Sequence, residues 1–126
     1  MEKLDIIFSQ YIRLRDTDEN GYGKCITCQK TFHYKDLECG HFRHRRHMCT
    51  RWHSRNAHAQ CVECNRGDSM VSYIVAMMNM YSDNTVSEIL WLSNQGCKFT
   101  KQELKDKYNY YSELVKSMKA EKMFKI

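Results

Sequence analysis

Two pairs of cysteines carry the first chemistry. Cys25-Ile26-Thr27-Cys28 and Cys61-Val62-Glu63-Cys64 are C-x-x-C pairs separated by 32 residues. Each pair lets two thiolates approach one ion from neighbouring corners of a tetrahedron, and two pairs complete a closed structural zinc site. With metal–sulfur bonds of ~2.3 Å, the residues between the pairs become a stapled insertion. The competing chemistry is thiol–disulfide exchange, but two pairs flanking one loop ask for more than redox chemistry needs. Seven cysteines is an odd count, so at least one is left over on either reading. In a reducing compartment they are expected to ligate metal rather than form disulfides. Cys39 is expected to be buried beside a histidine, and Cys49 and Cys97 read as free thiols.

The insertion has its own electrostatics. From Cys39 to Val62 the chain carries Arg43, Arg45, Arg46, Arg51 and Arg55 and no acid. Outside it, Lys and Arg balance Asp and Glu, so the whole formal charge of +5 resides there. Five of the six histidines, His41, His44, His47, His53 and His58, are there as well. A local field of this sign suits a polyanion such as DNA. Arginine forks suit phosphates, which position a protein without reading sequence.

These residues need a frame. A chain of 126 residues fits one domain, 1–126, whose modest core a metal staple would help. Residues 4–15 read as an amphipathic helix on Leu4, Ile7, Phe8, Tyr11, Ile12 and Leu14, with Gly21 as a left-handed stop. The core runs from about 22 to 82: a knuckle and β-hairpin over Cys25–Cys39, a basic loop over 43–57, and a helix from Asp68 on Met70, Ile74, Met77, Met78 and Tyr81. Thr85-Val86-Ser87-Glu88 predicts a capping box opening a helix over 85–95 that stops at Gly96. Thr100-Lys101-Gln102-Glu103 predicts another, opening a helix over 101–122. Its stripe of Leu104, Tyr108, Tyr111, Val115 and Met118 resembles a heptad seam, for packing on the chain's own core or for a homodimer contact. The last few residues are expected to fray. No apolar run approaches the ~20 residues needed to span a bilayer, and Met1-Glu2-Lys3-Leu4-Asp5 lacks a signal peptide's apolar stretch, so a cytoplasmic location is expected.

Cys39-Gly40-His41-Phe42, His47-Met48, Thr50-Arg51, Asn56-Ala57-His58-Ala59-Gln60-Cys61 and Cys64-Asn65-Arg66, with Leu14-Arg15-Asp16 upstream, resemble the phage lambda NinG (Rap) recombination-protein family of HNH nucleases over about residues 4–82. The layout of two C-x-x-C pairs, a central histidine and an asparagine after the last cysteine is also similar to T4 endonuclease VII. The resemblance implies an α+β fold with a ββα-metal (HNH, His-Me finger, treble-clef-like) core, a four-cysteine zinc site and flanking helices. It implies a Mg²⁺- or Mn²⁺-dependent endonuclease acting on branched DNA, Holliday junctions included, in a bacterial host, with phage or host recombination proteins as partners. It makes His41 the general base, Asn56 the residue that constrains the loop and orients that base, and Asn65 a holder of the catalytic ion.

The chemistry agrees with that resemblance. An imidazole with a pKa near ~6.5 is poised to take a proton from water at neutral pH, and a hard ion stabilises the departing oxygen. One departure stands out: many such nucleases have an acid immediately before the histidine, where this chain has Gly40. Asp68, expected on one helical face with Asn65, is the replacement ligand or else an N-cap, with Glu38 and His58 as weaker alternatives. His44 and His53 read as solvated loop residues, whereas His47 and His58 either serve the site or hold the loop. Phe42 is expected in the hairpin core, and Trp52 could stack on exposed bases. Two other functions stay open: a non-catalytic zinc module that binds DNA or a recombination protein, and a nicking nuclease indifferent to branching.

Overall fold

The computed structural model describes residues 1–122, and the fraying expected at the end of the chain concerns residues outside these. Helix α1 spans Glu2–Arg15 and buries Leu4, Phe8 and Ile12, one per turn, with Leu14. Its acids Glu2 and Asp5 lie in the first turn and Arg13 and Arg15 in the last, as the helix dipole favours. The helix ends at Arg15, where the Thr17 hydroxyl donates to the Arg13 carbonyl at 2.9 Å. Gly21 is not that helix's stop. Its φ of 87° serves the turn into the next strand, where the Asp18 carboxylate accepts from the Asn20 and Tyr22 amides.

Strands β1 (Tyr22–Lys24) and β2 (Thr31–His33) form a small antiparallel hairpin whose tip is the first cysteine pair. Strands β3 (Leu37–His41) and β4 (Ala57–Cys61) form a second, with Cys39 opposite Ala59 and His41 opposite Ala57. The basic insertion is the long loop between β3 and β4. A short helix, α2 (Val62–Arg66), follows β4 directly, with the Cys61 sulfur accepting from the Cys64 amide at its start.

Strand alternation gives the second hairpin two faces. Cys39, His41 and Ala57 face α1, where Leu4, Phe8 and Ile12 pack with Trp52 and Tyr111. Gly40 and His58 face α3 (Met70–Met80), where Phe42, Tyr73 and Met77 pack with Val86 and Ile89 of α4 (Asp83–Ser93). Both faces are covered, and every residue of β4 is buried. Phe42 fills the core as expected. Trp52, 5% exposed, does so too and is not a base-stacking platform.

The C-terminal helix α5 (Lys101–Glu121) opens with the expected capping box of Thr100 and Glu103. Its stripe packs against Ile7, Phe8 and Tyr11 of α1, the expected packing on the chain's own core. Helix α4 starts earlier than expected. Ser82, not Thr85, is its cap, with the Ser82 hydroxyl accepting from the Thr85 amide, and Asp83 lies in its first turn. A further correction concerns Cys49 and Cys97, which are not free thiols but joined in a disulfide, with Cα atoms 5.2 Å apart. The bond ties the basic loop to the segment before α5. The turns of 44–53 and the path from α4 bring the two cysteines together, which no local spacing announces. Among the described residues no helix is long and apolar enough to cross a membrane.

Candidate metal centre and histidine cavity

The four paired cysteines converge. Their sulfurs all lie within 4.8 Å of one another, with Cys28 and Cys61 4.0 Å apart. Four sulfurs around one zinc at ~2.3 Å would stand roughly 3.8 Å apart, so the donor set fits that ion. The two hairpins are pinned together there by the Ile26 amide, which donates to the Ala59 carbonyl at 3.0 Å. Burial pushes the Cys28 and Cys61 thiols up, and the neighbouring Cys25 pushes them further. Burial also opposes ionisation of Cys25, but backbone amides at Cys28, Cys61 and Thr27 and the Thr27 hydroxyl outweigh it and bring Cys25 down to about 6. A cation relieves the repulsion among such thiolates. Among the described residues, these cysteines are the only cluster of three or more His, Cys, Asp or Glu side chains placed to hold a metal.

His41 ends β3 in a cavity of about 340 Å³ that it shares with Asn65, Cys39, His44, Arg45 and two residues of α1, Asp5 and Ser9. Its Nε2 lies 2.9 Å from the Arg51 carbonyl. A carbonyl only accepts, so Nε2 carries the proton and Nδ1 keeps its lone pair. Burial lowers the His41 pKa below its ordinary value, outweighing the Arg51 carbonyl, which raises it; the Arg45 charge lowers it further. The ring is therefore neutral, a base, at neutral pH. Burial also pushes the adjacent Cys39 thiol up to about 12, so it stays protonated.

Asn56 is fully buried and clips the loop shut. Its Oδ1 accepts from the Arg43 amide at 2.8 Å, and its Nδ2 donates to the carbonyls of Arg43 and Thr50 at 3.1 and 3.0 Å. Thr50 directly precedes Arg51, so the clip lies one residue from the carbonyl that holds His41. Asn65, on α2, donates from Nδ2 to Glu38 at 2.9 Å, and Glu38 also takes Arg66 at 2.6 Å. Arg66 first, then Asn65, holds the Glu38 carboxyl below its usual range. Asp68 does not share a helical face with Asn65. Helix α2 ends at Arg66, Gly67 is extended, and Asp68 lines the cavity beside Cys28, Cys61 and Cys64 instead.

The arginines divide. Arg45, Arg46 and Arg55 are exposed. Arg43 is half-buried and donates to the Ser93 hydroxyl at 2.9 Å. Arg51 turns inward and grips Asp5 through Nε at 3.0 Å and Nη2 at 2.5 Å. The acid-free loop is thus answered by an acid from α1. His47 holds the loop through Nδ1 to the Ser93 carbonyl at 3.0 Å, and His53 caps a short turn at Ser54–Asn56. His44 is exposed at the mouth of the His41 cavity. His58 is spent inside the fold. The Tyr73 hydroxyl donates to the Gly40 carbonyl at 2.7 Å and so accepts from His58 Nδ1, while Tyr81 meets Nε2 at 2.7 Å.

Three residues of α1 and its end escaped sequence reasoning. Asp5 lines the His41 cavity and grips Arg51 across 46 residues of chain. Arg15 donates to the carbonyls of Ser54 and Ala57, and Asp16 accepts from the Ala59 amide, so the pair grips the start of β4. Their adjacency in Leu14-Arg15-Asp16 was the only available signal.

Compared with known proteins, the chain matches the family model described as Bacteriophage Lambda NinG protein over residues 1–121. No curated protein and no solved structure matches it.

Proposed function

The chain belongs to the bacteriophage lambda NinG family, and from that premise we propose that it is a zinc-stapled, metal-dependent endonuclease with a ββα-metal core that cuts branched DNA such as recombination intermediates. The observation that carries this reading is the placement of His41: Nε2 is 2.9 Å from the Arg51 carbonyl and Nδ1 is without a protein partner among the described residues, in a cavity it shares with Arg45. A base so arranged takes a proton from water at Nδ1. The water oxygen bonds to phosphorus, the bond from phosphorus to a deoxyribose oxygen breaks, and the departing oxygen takes a proton from solvent. Arg45 meets the phosphate charge, with Arg46 and Arg55 gripping the backbone farther along. Asn56 keeps the loop, and with it the Arg51 carbonyl, in place.

Asn65, which lines the cavity, and Glu38, hydrogen-bonded to it, offer an amide and a carboxylate oxygen, hard donors that suit Mg²⁺ or Mn²⁺. When bound, such an ion supplies charge stabilisation at the departing oxygen. Asp68, on the cysteine side, is the less suitable donor.

The test compares four-way junction, flap and linear duplex DNA, each with Mg²⁺ and with EDTA, for the native protein and His41→Ala. Mg²⁺-dependent cutting that favours branched DNA and falls by about 10²–10⁴-fold in His41→Ala is expected, with zinc content unchanged. Equal cutting of all three substrates identifies an unselective nicking nuclease. Binding with no cutting identifies a DNA-binding zinc module and overturns the catalytic reading.

A further inference from the structure

The loop that orients His41 holds no acid, yet two consecutive residues of it, Arg51 and Trp52, both bind one carboxylate. Asp5, in the first turn of α1, accepts from Arg51 Nε at 3.0 Å and Arg51 Nη2 at 2.5 Å, and its Oδ1 also accepts from the Trp52 indole at 2.9 Å. The carbonyl between those two side chains, Arg51 C=O, is the one that receives His41 Nε2–H at 2.9 Å. Just beyond it, the Trp52 carbonyl accepts from the Tyr111 hydroxyl at 2.8 Å. The Arg51–Trp52 peptide is therefore gripped by its side chains on one carboxylate and by its C-terminal neighbour on α5.

We infer that Asp5 is a positioning residue of the His41 site, acting through the Arg51–Trp52 peptide to fix which imidazole nitrogen faces the cavity. The inference rests on the nuclease reading only for its consequence in catalysis; the geometry of the ring is a property of the fold. A forked carboxylate–guanidinium pair has a defined plane as well as charge, so it orients what it binds. Both partners are largely shielded, with 17% of each side chain exposed, so water competes weakly for the pair. Without the carboxylate, the Arg51 guanidinium is left beside Arg45, itself 3.8 Å from Asp5, and the two cations repel. Arg51 then turns to solvent, its carbonyl leaves the ring, and either imidazole nitrogen can hold the proton. The other groups around His41 do not replace the grip: Cys39 is a protonated thiol, the Phe8 ring 6.0 Å away is apolar, Ser9 and Asn65 line the cavity without a hydrogen bond to the ring, and His44 and Arg45 are exposed. Helix α1 thus completes the site rather than only covering the hairpin.

The imidazole can be observed directly. Long-range ¹H–¹⁵N correlation spectra of the full, zinc-loaded chain at pH 7.5 should show His41, identified by its absence in His41→Ala, as a single Nε2–H tautomer. In Asp5→Asn the pattern should become that of a tautomer mixture, with zinc content and far-UV circular dichroism unchanged. Arg51→Met, which keeps the apolar stem and removes the fork, should give the same mixture and covers the case in which Asp5→Asn folds poorly. In cleavage assays Asp5→Asn should lower kcat about 10- to 100-fold with KM unchanged, the scale expected when a catalytic group is misplaced. The same substitution should have no further effect in the His41→Ala background. An unchanged Nε2–H tautomer in both variants overturns the inference. A native protein that cuts no DNA overturns the nuclease reading but leaves the tautomer result to decide the role of Asp5.

Discussion

Gly40 and Gln60 meet across the β3–β4 ladder so closely that a Cβ at position 40 would lie 1.9 Å from the Gln60 side-chain oxygen. Gln60 is itself buried and tied by Nε2 to the hydroxyls of Thr27 and Ser69, at 3.1 and 3.3 Å. The absent acid before His41 is therefore more than a lost ligand: the place where its side chain would begin is filled by a glutamine that links the hairpin to the cysteine knuckle and to the start of α3. Gly40→Asp should not improve metal binding. It should cost about 1–3 kcal/mol in urea unfolding, the usual range for overpacking a filled core. Gly40→Ala should cost a similar amount, and adding Gln60→Ala should recover part of it. A Gly40→Asp variant as stable as the native protein would refute this account.

The Cys49–Cys97 bridge closes 48 residues of chain. Chain-entropy reasoning assigns a loop of that length about 4 kcal/mol, and less where the cysteine–metal staple already restricts the unfolded chain, so Cys49→Ser with Cys97→Ser should cost about 2–4 kcal/mol. Added reductant should destabilise the native protein and leave the double variant unchanged. Metal content should be equal in both, because the four ligands are separate cysteines. Stability that is insensitive to reductant in the native protein would show that the bridge carries no such load.

What the sequence disclosed and what it hid follow from distance along the chain. The C-x-x-C pairs, the Thr100–Glu103 box and the one-per-turn burial of Leu4, Phe8 and Ile12 are local patterns, and each stands in the fold as expected. His41 and Asn65, both drawn from the resembling strings, line one cavity, since β4 and α2 run on directly from the stapled loop. Some failures are relations between distant segments, and others are local. Asp5 answers Arg51 across 46 residues, and nothing in either local pattern pairs them. Asp68 shares a face with Asn65 only in a continuous helix, but extended Gly67 ends α2 and turns Asp68 away. The arginines read as one basic face because their run holds no acid. Packing α1 against the loop brings an acid to them and removes Arg51 from that face.

His58 makes stability depend on pH. Burial first, then the Arg15 charge, lowers its pKa to about 4, and both ring nitrogens are engaged by Tyr73 and Tyr81. The unfolded chain has the ordinary value near 6.5, so between pH 6.5 and about 4 the unfolded state binds the extra proton. The contribution is full above pH 6.5 and is lost as pH falls through that window, amounting to roughly 3 kcal/mol. The depressed pKa of His41 acts in the same direction. Urea unfolding at pH 7.5 and pH 4.5 should therefore show a smaller drop for His58→Gln than for the native protein, although the variant starts from lower stability. Equal drops would mean that His58 does not titrate as its burial requires.

Arginines that look alike in the sequence should separate under substitution. Arg45, Arg46 and Arg55 are exposed, so each removal should leave stability within about 0.5 kcal/mol of native. If they contact phosphates, each should weaken DNA binding and reduce the slope of log affinity against log salt by about one. Arg51→Ala differs in kind, because it strips shielded Asp5 of its forked partner and leaves only the Trp52 indole and the exposed Arg45, 3.8 Å away, to answer its charge. It should cost about 2–4 kcal/mol of stability, toward the lower end of what breaking a buried pair costs. Its effect on the salt slope should be small, since its charge is already satisfied inside the protein. A titration of fluorescent four-way junction DNA at several salt concentrations, run beside urea unfolding of the same four variants, measures both quantities. A salt slope for Arg51→Ala that falls as far as for Arg45→Ala, with stability unchanged, would return Arg51 to the DNA-facing surface and remove it from the support of His41.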